Sequence, residues 1–65
     1  MNTEYRQQLF KKIRELRHEL KHRQDRLNYN IFAGTCHKSL TVQRNIIFDL
    51  ELQIQHLEYK YQHGL

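Results

Sequence analysis

Between Leu40 and Tyr61 the chain reads LTVQRNIIFDLELQIQHLEYKY, with apolar side chains returning every three or four residues and no Gly or Pro among them. Leu40, Gln43, Ile47, Leu50, Ile54, Leu57 and Tyr61 are separated by 3, 4, 3, 4, 3 and 4 residues. That is the heptad rhythm of a helix whose seam faces another helix. A second stripe, Thr41, Asn45, Phe48, Leu52, Gln55 and Tyr59, runs up the opposite side with separations of 4, 3, 4, 3 and 4, and its middle is apolar. A helix apolar on two opposite faces needs covering twice.

The first half carries the same rhythm. Leu9, Ile13, Leu16, Leu20, Arg23 and Leu27 are spaced 4, 3, 4, 3 and 4 apart. Asn2 or Thr3 is placed to cap this helix, and Glu4 in its opening turn suits the helix dipole. The pattern fades across Asn28, Tyr29 and Asn30, and Phe32-Ala33-Gly34-Thr35 offers the one good break, because Gly34 can take the left-handed conformation that ends a helix. Thr35 or Ser39 is expected to cap the next helix, and His63-Gly64-Leu65 reads as a fraying end. The pattern thus predicts one domain over 1–65, with helix 1 at about 3–31, a loop at about 32–38 and helix 2 at about 39–62.

Two helices joined by so short a loop must lie antiparallel. Matching layer to layer sets Leu27 against Leu40, Leu20 against Ile47 and Ile13 against Ile54, with Leu16 on Leu50 between the last two and Leu9 on Leu57 beyond them. Arg23 then meets Gln43, the one polar seam residue of each helix. Arg23 can snorkel to solvent along its methylenes, or the pair can act as a register layer, since slippage would press a charge or an amide against Leu or Ile. On one flank Arg17 falls beside Glu51, which predicts a surface ion pair.

Such a hairpin buries one face of each helix. Phe48, Leu52 and Tyr59, with Ile46, Val42 and Phe10 nearby, are left over, and aromatic side chains lined up in water mark a contact surface. The fold class expected is all-α: an antiparallel, coiled-coil-like two-helix hairpin, dimerising into a four-helix bundle with helix 2 inside and helix 1 outside. Phe48, Leu52 and Tyr59 form its association face.

Charge refines this picture. The formal net charge is +4, and residues 1–32 hold eight Lys/Arg against four Asp/Glu whereas residues 33–65 hold three against three. On the outward side of helix 1, Lys11, Arg14, His18 and Lys21 recur at intervals of 3, 4 and 3 residues, with Arg17 and His22 alongside. At ~1.5 Å of rise per residue the ridge is about 15 Å long. An acidic protein or the phosphates of a nucleic acid would suit it, the latter with steep salt dependence. Glu15, Glu19 and Asp25 dilute the charge, and no aromatic is interleaved to stack on a base.

Composition excludes several classes. A chain of 65 residues with 38% hydrophobic content is short for a layered enzyme domain and too periodic for a disordered tail. No apolar run approaches the ~18 residues of a membrane span, and MNTEYRQQLFKK lacks the apolar core of a secretory signal. The single Cys36 forbids an intramolecular disulfide. A soluble cytoplasmic protein that does not engage the membrane is expected.

Neither catalysis nor a cofactor is indicated. With Gly34 and Gly64 alone there is no phosphate-cradling loop, and a two-helix hairpin offers no concave apolar pocket. His18 and His22 stand four apart, a spacing that chelates metals, yet the Glu of HExxH and a third ligand are missing. Cys36 beside His37, near the start of helix 2, is similarly thin. No metal is assigned.

In size, hairpin plan and basic charge the chain resembles the Rop family of plasmid copy-number regulators, homodimeric four-helix bundles that bind RNA. That likeness is one of architecture, so no residue role is carried across. LFKKIRELRHEL, from Leu9 to Leu20, resembles the first helix of the small aspartyl-phosphate phosphatases of sporulation signalling. Their second helix carries a Ser-Gln-Glu-Leu-Asp motif; here Asn45-Ile46-Ile47-Phe48-Asp49 keeps the final Asp and an apolar residue before it. The leading expectation is a small non-catalytic regulatory or scaffolding protein acting through helix-mediated contacts with other proteins. A Rop-like nucleic-acid binder comes second, and a phosphorelay phosphatase-like regulator third.

Overall fold

The computed structural model describes residues 3–64, in which α1 (Thr3–Phe32) and α2 (His37–His63) pack against each other as an antiparallel hairpin. Its Cα trace is a rod with extents of 50 × 14 × 11 Å. Both predicted helices are present, and α2 starts two residues earlier than the pattern suggested.

The connection is short because Gly34 ends α1 abruptly. At φ +78° its backbone turns into the left-handed region, its N–H reaches the Ile31 carbonyl (3.2 Å), and the Thr35 N–H reaches that of Asn30 (3.0 Å). This pair of bonds is a Schellman closure, which satisfies carbonyls that the last helical turn would otherwise leave open. A side chain at position 34 would meet no atom within 4 Å, so the demand for glycine there is one of backbone conformation alone. Gly64 also turns left-handed, at φ +69°, and ends α2 with the single bond of an αL cap, its N–H on the Lys60 carbonyl.

The expected caps need correction. Cys36 occupies the N-cap of α2 and makes no side-chain capping bond. Ser39 lies inside the first turn, where its Oγ accepts from the Gln43 amide (3.2 Å). Thr3 is already helical, and Asn2 and Leu65 lie outside the described residues.

The seam is the one that the periodicity predicts. Leu9, Ile13 and Leu16 of α1 and Ile47, Leu50 and Ile54 of α2 are buried, while Leu20, Arg23, Leu27, Leu40, Gln43, Leu57 and Tyr61 are half-buried. Leu16, Leu50 and Ile54 form one cluster, against which Leu20 and Leu57 pack. The tightest packing therefore lies in the half of the rod away from the loop.

The cross-helix polar pairing differs from the expected facing pairs. Arg17 donates to Glu58 (2.7 Å) and not to Glu51, and Gln43, which shares a cleft with Arg23, accepts its bond from Asn30 (2.9 Å). Both partners sit one heptad beyond the expected ones. The apolar cluster still joins Leu16 to Leu50, so these are choices of partner by long side chains on the flanks, which matching apolar layers does not fix. Because Arg17 and Glu58 are both partly exposed, their coupling in a double-mutant cycle with Ala is expected to be about 0.2–1 kcal/mol and to shrink with added salt. A cycle of Arg17 with Glu51, read by urea unfolding, should show none.

Candidate interaction faces

On the outer side of α2, Phe48 is 60% exposed, Tyr59 55% and Leu52 48%. Helical geometry puts all three on one side, since Leu52 lies four residues after Phe48 and Tyr59 seven after Leu52. Val42 and Ile46 extend the apolar surface along one flank and are exposed as well. The Tyr59 ring lies against His63, with centroids 4.1 Å apart and planes tilted by 35°, an i, i+4 contact that fixes its direction. Thr41 turns its hydroxyl onto the His37 carbonyl (3.0 Å), while Asn45 and Gln55 are exposed. Arg44, Asp49, Glu51 and His56 border this stripe and have no hydrogen-bond or ion-pair partner among the described residues.

The predicted ridge on α1 is equally open. Lys11, Arg14, His18 and Lys21 are all exposed on the side away from α2. Lys11, Arg14 and His18 line a shallow groove of about 480 Å³ with Glu15, so one carboxylate sits among its cations. Lys21 continues the ridge beyond the groove. Arg17, expected alongside, is turned toward α2 by Glu58.

Arg23 and Gln43 do line one cleft, of about 320 Å³, together with Arg26 and Asn30. They are not bonded to each other there. The Arg23 Nε donates to Glu19 one turn back (3.2 Å), and Gln43 is held between Asn30 and Ser39. The Asn30–Gln43–Ser39 chain ties the loop end of the hairpin together through amide and hydroxyl groups.

At the opposite end lies a contact that sequence reasoning missed. The Arg6 guanidinium stacks over the Tyr61 ring at 4.4 Å, and the Phe10 ring stands 6.1 Å from that of Tyr61 at an angle of 43°. A cation over an aromatic face contributes about 0.5–1 kcal/mol at an exposed site. The signal available was Tyr61 as the last seam position; nothing in the spacing says that Arg6 and Phe10 would meet it.

Among the described residues no three His, Cys, Asp or Glu side chains are placed to share a metal ion, so His18 and His22 gain no third ligand. Cys36 is exposed as a free thiol. No helix of the described residues is long and apolar enough to cross a membrane. Of the stretch aligned above with the phosphatase motif, Ile47 is buried in the seam, whereas Asn45, Ile46, Phe48 and Asp49 are exposed. Compared with known proteins, the chain matches no family model, no curated sequence and no solved structure.

Proposed function

We propose that this chain is a small non-catalytic regulatory or scaffolding protein that works by presenting helical faces, and that two hairpins associate through α2 into a four-helix bundle. The exposure of Phe48, Leu52 and Tyr59 along one side of α2 carries this reading. Complete burial of one such side chain is worth about 1.5–3 kcal/mol, and a hairpin whose buried core is Leu9, Ile13, Leu16, Ile47, Leu50 and Ile54 has little to spare for leaving them wet. Association removes that surface from water and leaves the ridge of α1 on the outside for an acidic protein partner.

A second reading has its own observation. The ridge is exposed and grooved over Lys11, Arg14 and His18, which also suits a phosphate backbone, as in a Rop-like binder of RNA or DNA. Replacing Lys11, Arg14 and Lys21 with Gln is expected to leave the circular-dichroism spectrum and melting of the hairpin unchanged, because these side chains face away from the seam, and to abolish capture of the polyanionic partner. Pull-downs across a salt series, with and without nuclease, separate the two readings. Nuclease-resistant capture of an acidic protein supports the first, and nuclease-sensitive, salt-labile capture the second. Unchanged capture by the triple variant would move the function off the ridge.

A further inference from the structure

Arg44, Asp49, Glu51 and His56 border the stripe on α2 without a hydrogen-bond or ion-pair partner among the described residues, and the spacing of the flanks says what covers it. In the heptad frame of the stripe, Asn45, Leu52 and Tyr59 hold one seam position and Thr41, Phe48 and Gln55 the other. Arg44, Glu51 and Glu58 then flank the seam on one side, and Asp49, His56 and His63 on the other. In a parallel pair of helices each residue of the first flank meets the residue five positions further along on its neighbour.

That rule sets Arg44 against Asp49 of a second copy and Glu51 against its His56, each twice by symmetry; Glu58 and His63, the third pair, are already engaged by Arg17 and the Tyr59 ring. Every one joins a carboxylate to a basic group. An antiparallel pair centred between Phe48 and Leu52 instead brings the two Asp49 side chains together on one side and the two Glu51 side chains together on the other. Its one favourable flank pair joins Arg44 to Glu58, which is already bonded to Arg17. Like charges held opposite each other oppose that arrangement.

The seam residues set the alignment. In a parallel, in-register pair Phe48 meets Phe48, Leu52 meets Leu52, and Asn45 and Gln55 each meet their own amide, which can both donate and accept. Sliding one copy by a heptad presses Asn45 onto Leu52 and Phe48 onto Gln55, leaving buried amides without partners. A polar residue at a seam position is a known means of specifying register, and here Asn45 and Gln55 bracket the apolar middle of the seam.

Resting on the reading that the outer face of α2 is an association face, we infer that its occupant is a second copy of this chain, with the two α2 helices parallel and in register. Both loops then lie at one end of the dimer, and the basic ridges of the two α1 helices point away from each other. The pair is a two-sided connector, able to hold one acidic partner on each flank.

Cysteine crosslinking tests the alignment in a Cys36→Ser background. Asn45→Cys alone should form a disulfide-linked dimer on mild oxidation, because the parallel seam puts the two substituted positions face to face. In the antiparallel alternative those positions are about ten residues apart along the axis, or ~15 Å. A mixture of Asn45→Cys and Gln55→Cys chains would then crosslink between position 45 of one and position 55 of the other, which would overturn the proposal. So would a dimer by sedimentation that gives neither crosslink. A monomer by sedimentation at tens of micromolar would instead overturn the association reading on which the alignment rests. Should the cysteine variants fold poorly, charge reversal reads the same geometry: Arg44→Glu should weaken dimerisation, and Arg44→Glu with Asp49→Arg should restore it. Failure of the second change to restore it would count against the parallel pairing.

Discussion

Phe48→Glu together with Leu52→Lys is expected to give a monomer with lost or weakened helicity, whereas the unmodified chain sediments as a dimer. The two side chains are 60% and 48% exposed in the isolated hairpin, so roughly half of each remains to be buried by a partner. At about 1.5–3 kcal/mol for complete burial, and with both copies losing two such side chains, the change removes several kcal/mol from association. That corresponds to two or more orders of magnitude in the dimer dissociation constant. The new charges add a desolvation penalty wherever the seam would cover them. Folding and association are coupled in such a system, so the thermal midpoint of the unmodified chain should rise with protein concentration, and that of the double variant should not. A concentration-independent midpoint and a monomeric mass for the unmodified protein would sink the dimer and leave the stripe as a dock for some other helix.

Leu16→Ala or Ile54→Ala should remove a large part of the stability of the hairpin. Both side chains belong to the buried cluster with Leu50, at 7% and 6% exposure. Truncating a buried Leu or Ile costs about 2–5 kcal/mol, while a chain of this length has on the order of 3–10 kcal/mol in total. Leu27→Ala and Leu40→Ala, at half-buried positions beside the loop, should cost visibly less. Urea unfolding followed by circular dichroism ranks the four. If the loop-end pair proved the costlier, the core would have been placed at the wrong end of the rod.

The two experiments separate the faces of α2. Ile54 points at α1 and Leu52 away from it, although they are two residues apart, because a step of two turns the side chain through about 200°. Truncation at position 54 should destabilise the hairpin whatever its oligomeric state. Substitution at position 52 should act through the dimer, so its effect should fade once the protein is dilute enough to be monomeric.

Most of the architecture is legible in the order of residues, for a reason internal to the helix. The 3.6-residue turn converts a spacing of 3 and 4 into a face, so Leu9, Ile13, Leu16, Ile47, Leu50 and Ile54 announce the seam, and Phe48, Leu52 and Tyr59 announce a second apolar face, which the hairpin leaves exposed. Gly34 announces the turn, since few other residues sit comfortably at φ +78°. The exposure of the Lys11–Lys21 ridge follows from the same geometry. What the order of residues left open is everything that repeats with the heptad. Glu51 and Glu58 are equivalent positions on one flank, and only the folded hairpin gives Arg17 to Glu58. For the same reason Gln43 takes its bond from Asn30, although it lies in one cleft with Arg23. Cys36 became the N-cap through where the Schellman turn delivered the chain, not through any capping chemistry of its own. Arg6, Phe10 and Tyr61 came together because two helices of nearly equal length bring their free ends side by side. Periodicity defines which face of a helix is covered; matching apolar layers does not fix which partner a long side chain on the flanks takes, and only the folded hairpin decides it.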